Sequence, residues 1–324
     1  MRLLLPILIG LIAHAQVPPY VDPSSHIIHF VSVADDVKLE VLEWNGNGRP
    51  LVLLTGYGNT AHVFDEFAPK LSGYHVYAIT RRGFGLSSQA KSGYEDQRLA
   101  DDVLAVMDFL KLPRPVLIGH SMAGGELTTI GVQHPDRISG LVYLDANSDP
   151  RDFPERMALF NELPAGVRMQ PPPNSNEESR SFEMFREYQR RLNGFPFPVA
   201  EYHNMYETNP DGSKGRSRTL PSVFYAVRDG QKERNYSGIT VPVLAFFPIV
   251  DDPQRYRPQN QHERDGMKAY DAATLVFVNR YKATLLSQVP GARIMDLHNA
   301  DHYVFLSNES EVLSEIKLFL QELK

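Results

Sequence analysis

Ser121 stands in Val116-Leu117-Ile118-Gly119-His120-Ser121-Met122-Ala123-Gly124-Gly125, which reads as a buried strand, a tight turn and a helix start. Val116 to Ile118 supply a short apolar run, and small residues at 119, 123 and 124 let the backbone double back with Ser121 at the apex. A hydroxyl lifted out of a sheet in this way is a candidate nucleophile. The helix expected from about Ala123 aims its amide dipoles at the same spot, so negative charge developing beside Ser121 is stabilised.

Such a turn needs a sheet to stand on, and the flanking sequence supplies one. His26 to Val33 and Val37 to Trp44 read as an entry hairpin joined at Ala34-Asp35-Asp36. Pro50 to Thr55 is a continuous apolar strand of the kind buried on both faces of a parallel sheet, followed by the glycine-containing turn Thr55-Gly56-Tyr57-Gly58-Asn59-Thr60 and a helix expected over Ala61 to Leu71. His75 to Thr80 is the next strand. Leu99, Val103, Val106 and Leu110 then recur at helical spacing and lead into the Ser121 strand. Strand, helix, strand in this rhythm predicts parallel crossovers and an α/β fold.

Behind Ser121 the helix runs through Leu127 to Val132, and the strand Ser139 to Leu144 ends in Asp145. From about Pro150 to Tyr236 the rhythm stops: the segment is polar and contains Pro171-Pro172-Pro173, yet it carries a dozen Phe and Tyr residues. It reads as a lid, with rings such as Phe182 and Phe185 lining a substrate pocket or packing the lid's own small core. The core resumes with the strand Ile239 to Phe247, which is followed by Asp251-Asp252-Pro253. A helical stretch follows over Ala272 to Gln288, then a last strand Ala292 to Leu297 that runs into His298-Asn299-Ala300-Asp301-His302. An amphipathic helix over Glu309 to Leu323 closes the chain.

At 324 residues and 42% hydrophobic content, the chain can bury one large core with an insertion. A net charge of −6, with no basic run, points away from nucleic acid, and neither a phosphate-cradling glycine loop nor a zinc-type Cys/His spacing appears. Zero cysteines exclude disulfides and thiol catalysis. Met1 to Ala15 reads as an export signal: Arg2 gives the positive start, Leu3 to Ile12 the apolar core and Ala13-His14-Ala15 the small-x-small cleavage site. The expected product is periplasmic or extracellular, begins near Gln16 and has no stable membrane insertion. The domain division is then 1–15 signal, 16–149 and 238–324 core, and 150–237 cap; oligomeric state is not legible.

Gly119-His120-Ser121-Met122-Ala123 resembles the Gly-x-Ser-x-Gly nucleophile elbow of the α/β-hydrolase superfamily, with Ala123 in place of the last glycine. Arg81-Arg82-Gly83-Phe84-Gly85-Leu86-Ser87 resembles a loop common in the same hydrolases, and is taken as architectural. The resemblance implies a mostly parallel doubly wound sheet with an inserted, mainly helical cap. It implies an oxyanion hole from the N–H groups of Tyr57 and Met122, Thr55 standing where the superfamily commonly has histidine. It also places the general base at His302, after the last strand, with His298 as the competitor. Histidine suits the role because its pKa near 6.5 lets it take the serine proton and return it.

Two places offer the carboxylate that orients the histidine. One is Asp145, in Leu141-Val142-Tyr143-Leu144-Asp145-Ala146, which resembles the segment supplying the acid in haloalkane and fluoroacetate dehalogenases. The other is Asp251 or Asp252, the position most of the superfamily uses. We favour Asp145, while Ser121 excludes the aspartate-nucleophile chemistry of those dehalogenases. The implied activity is acyl transfer on a small to medium apolar ester, with no metal or organic cofactor. Two alternatives keep the same scaffold: a cofactor-free perhydrolase, oxygenase or lyase on the same triad, and a non-catalytic binding protein.

Overall fold

The computed structural model describes residues 20–163, 177–250 and 260–323. The expected export segment, the Pro171 to Pro173 run, Asp251 and Asp252 lie outside the described residues. Strands β1 (Ile27–Ala34) and β2 (Val37–Trp44) form the antiparallel entry hairpin. Next come β3 (Pro50–Leu54), β4 (His75–Ile79), α1 (Asp96–Phe109), β5 (Val116–His120), α2 (Gly124–Gln133) and β6 (Gly140–Leu144). The chain then leaves the sheet for α3 (Phe153–Glu162), α4 (Phe182–Asn193), α5 (Val199–Met205), the hairpin β7 (Tyr206–Thr208) with β8 (Lys214–Ser217), and α6 (Pro221–Gly230). It returns through β9 (Val243–Ile249), α7 (Gln261–Gln288), β10 (Arg293–His298), α8 (Val304–Ser307) and α9 (Glu309–Glu322).

The main sheet has the order β1-β2-β4-β3-β5-β6-β9-β10, antiparallel at the entry hairpin and parallel from β4 to β10. Its central strands are buried on both faces, so alternate residues feed two separate cores. Leu51, Leu53, Val116, Ile118, Val142 and Leu144 join α9 and the insertion helices α4 and α5 in one core. Val52, Leu54, Leu117, Leu141 and Tyr143 join α1, α2 and α7 in the other.

Three elements depart from expectation. The helix expected over residues 61–71 is two short 3-10 turns, Ala61–Phe64 and Ala68–Lys70, because Pro69 has no N–H to donate and its ring clashes with a preceding carbonyl. Helix α7 starts at Gln261, eleven residues before the expected Ala272. The Asn260 side chain caps it by accepting from the Glu263 N–H at 2.9 Å, and Met267 and Tyr270 pack on Phe160 and Leu163 at the end of α3. The rings Phe182 and Phe185 are buried in the core with Phe64, Phe67 and Phe305, and neither lines the cleft beside Asp145 and His302.

Candidate active site

Ser121 follows β5 directly and has φ +56°, a left-handed conformation that is costly for a side-chain-bearing residue and is held only by its surroundings. The surroundings explain the small neighbours. A methyl on Gly119 would come within 2.8 Å of both Ala123 Cβ and Leu127, and one on Gly124 would strike the Ala146 carbonyl at 1.7 Å. Ala123 is fully buried yet fits where glycine is usual, because Gly119 opposite it has no side chain.

His302 lies on the loop between β10 and α8, and Asp145 immediately after β6, itself at φ +46°. A carboxylate can only accept, so His302 Nδ1–H donates to Asp145 Oδ2 at 2.6 Å and leaves Nε2 to accept the Ser121 hydroxyl at 2.8 Å. His302 and Asp145 are partly open to water, their side chains 48% and 24% exposed. His298, the competitor, ends β10 in register with Ile249, and the bond to Ser121 comes from His302.

His120, next to the serine, is fully buried, and burial holds its pKa well below the ordinary value, so it is neutral. Its Nε2–H donates to the His302 carbonyl at 2.9 Å, which ties the histidine loop to β5. Its Nδ1 would lie only 2.5 Å from a methyl on Gly56, so the turn after β3 must carry glycine there. Sequence reasoning missed this role, although the only signal available was its place beside Ser121.

Among the described residues, neither the Tyr57 nor the Met122 N–H takes part in a turn, loop or cap hydrogen bond of the backbone. The loop bearing Tyr57 is anchored from three sides. Glu201 of α5 accepts from Asn59 Nδ2 at 2.8 Å, from the Thr60 N–H at 3.0 Å and from the Thr60 hydroxyl. Tyr303, beside His302, donates to Asn59 Oδ1 at 3.0 Å. The Tyr57 hydroxyl donates to the Phe224 carbonyl of α6 at 2.7 Å. Burial pushes the Glu201 carboxyl up to about 7, against the hydrogen bonds from Thr60 and Asn59 that lower it. Nothing in the sequence near residue 201 announced this link between insertion and loop.

Behind the loop, Arg81 donates from Nε and Nη2 to Glu126 of α2, at 2.5 and 2.6 Å, and from Nη1 to the Thr55 hydroxyl at 3.0 Å, an arrangement that holds the segment in place. A cleft of about 380 Å³ opens beside Asp145 and His302, walled by Phe160, Met267 and Tyr270 with Arg156 among them. An activatable hydroxyl, an oriented imidazole and amide donors together suit attack on a carbonyl carbon.

Comparison with known proteins matches residues 49–174 to the family described as alpha/beta hydrolase fold. The chain is 30% identical over 302 residues to a 2-(acetamidomethylene)succinate hydrolase of Mesorhizobium japonicum, covering 90% of this chain and 93% of that protein. It is 33% identical over 103 residues to a putative non-heme haloperoxidase of Mycobacterium phage D29, a match spanning 31% of this chain and only 37% of that relative. Among solved structures, E-2-(acetamidomethylene)succinate hydrolase superposes with a TM-score of 0.66 at 21% identity, over 91% of this chain and 99% of that one.

Proposed function

The chain belongs to the α/β-hydrolase fold family and is a hydrolase, and on that premise we propose that it cuts carboxylic ester bonds through a serine acyl-enzyme. Ser121 Oγ attacks the carbonyl carbon while His302 Nε2 takes its proton. Asp145 holds the imidazole in the right tautomer and stabilises the imidazolium. The Tyr57 and Met122 N–H groups receive the oxyanion, and His302 returns the proton to the leaving alcohol. Water then repeats the cycle in reverse and frees the acid. The observation that carries this is the hydrogen-bonded series Ser121, His302, Asp145 at 2.8 and 2.6 Å.

Hydrolysis of a panel of aryl esters, with peroxide and oxygen excluded, tests it. Ser121→Ala is expected to lower turnover on the order of 10³-fold or more with the fold intact, and to abolish labelling by a serine-directed phosphonate. Turnover retained in that variant overturns the assignment. A second reading, a substrate bearing a carboxylate, is favoured by Arg156 in the wall of the cleft. The succinate-hydrolase relative is consistent with it. Including hemisuccinate esters in the panel separates the two, since an Arg156 contact lowers their KM selectively.

A further inference from the structure

Outside the triad, four metal-ligating side chains converge from two segments far apart in sequence. Asp22 and His26 lie on the lead-in to β1; His62 and Asp65 lie on the 3-10 turn that follows the Tyr57 loop. Each offers one donor atom, and all four donors lie within 4.8 Å of one another. We propose that Asp22, His26, His62 and Asp65 form a binding site for a structural divalent transition-metal ion, zinc, that clips the lead-in to the segment behind the oxyanion loop.

With one donor atom from each residue, His62 Nδ1 lies 3.1 Å from Asp65 Oδ2 and 3.2 Å from Asp22 Oδ2, and His26 brings a fourth donor within 4.8 Å of the others. Zinc bonds of about 2.0–2.1 Å in a tetrahedron separate their ligand atoms by about 3.3 Å. Hydrogen bonding alone leaves the cluster unsatisfied. Beside the His62–Asp65 hydrogen bond at 3.1 Å, His26 Nδ1 and Asp65 Oδ1 face each other at 2.9 Å without hydrogen-bond alignment, and both, like Asp22 Oδ2, have no hydrogen-bond partner among the described residues. The His26 and Asp65 side chains are each only 2% exposed, so water does not make good the deficit.

Asp22, Asp65 and Glu40 bring three carboxylates to the two imidazoles; burial lowers the His62 pKa but the pull of those three carboxylates raises it to about 12, so zinc would bind by displacing a proton from His62. His62 Nε2, the nitrogen away from the cluster, faces Glu40 Oε1 at 3.5 Å, and Glu40 in turn accepts from the Thr80 hydroxyl at 2.8 Å. His62 Nε2 and Glu40 Oε1 are not hydrogen-bonded here, and a ligating histidine would gain the carboxylate support usual at a zinc site if they closed to contact. Imidazole donors favour zinc over calcium or magnesium, which take oxygen ligands.

The test uses the whole purified chain, stripped with a chelator, dialysed and titrated with zinc chloride while bound metal is counted by mass spectrometry. One zinc per chain, with a rise in Tm of about 5 °C, is expected. The variants His26→Gln and Asp65→Asn should lose the zinc. Less than a tenth of an equivalent bound with no change in Tm overturns the proposal, as does retention of full zinc by both variants or a response to calcium or magnesium but not to zinc. Should the variants fail to fold, the titration of the unaltered chain decides by itself.

Discussion

Replacing Asp145 by asparagine tests the geometry most directly, because it changes one charge and almost no volume. Its Oδ2 lies 2.6 Å from His302 Nδ1, which puts the centres of the two groups about 4 Å apart once the imidazole is protonated. At an effective dielectric of about 20 that attraction is about 4 kcal/mol, and at about 40, fitting side chains 24% and 48% exposed, about 2 kcal/mol. Each 1.4 kcal/mol is about tenfold in rate, so kcat/KM for an aryl ester should fall by about 30- to 1000-fold. This is less than the roughly 10⁴-fold expected where such an acid is fully buried. Kinetics at pH 8 with a matched thermal melt measure it. Activity within threefold of the unaltered enzyme would falsify Asp145 as the orienting acid, and Asp251→Asn and Asp252→Asn made alongside would then identify its replacement.

Phe182→Ala should cost about 3–5 kcal/mol of stability by opening a cavity, because the ring is 2% exposed in the core that joins insertion to sheet. Urea unfolding measures this, and relative rates across the ester panel should stay constant; a changed acyl preference without loss of stability would put the ring in the pocket instead. Glu201 titrates near 7 when folded and near 4.5 as a free side chain. Between those values the folded state holds the extra proton, so the unaltered chain loses stability as pH rises from about 4.5 to 7. Glu201→Gln removes that loss, and its stability relative to the unaltered chain should rise by about 3 kcal/mol between pH 5 and pH 8. Parallel stability curves for the two proteins over this range would show that burial does not perturb the carboxyl.

What the sequence by itself determined was local. The β3, β5 and β6 runs are apolar on both faces, so a parallel sheet follows from the residues alone. The turn at Ser121 announces itself because the steric demands at 119, 123 and 124 fall within six residues of chain. His302 was legible through the resemblance of its Asp-His context to the family pattern, since a place on the loop after the last strand fits His298 as well. Where several segments had to meet, only the tertiary structure decided. In the sheet, β6 and β9 both lie between the strand that ends at Ser121 and the strand that precedes His302, so aspartates after either one start out equivalent. Register and the strained backbone at Asp145 bring that carboxylate to the imidazole. The lid aromatics read as pocket or core with equal ease, since a ring's facing is set by the elements packed on it. The charged start of α7 gave no apolar stripe because its partner is the short contact with α3. Glu201 and the Asp22, His26, His62, Asp65 cluster were invisible for the same reason: their meaning comes from partners some 40 to 140 residues away, and no spacing within either segment records it.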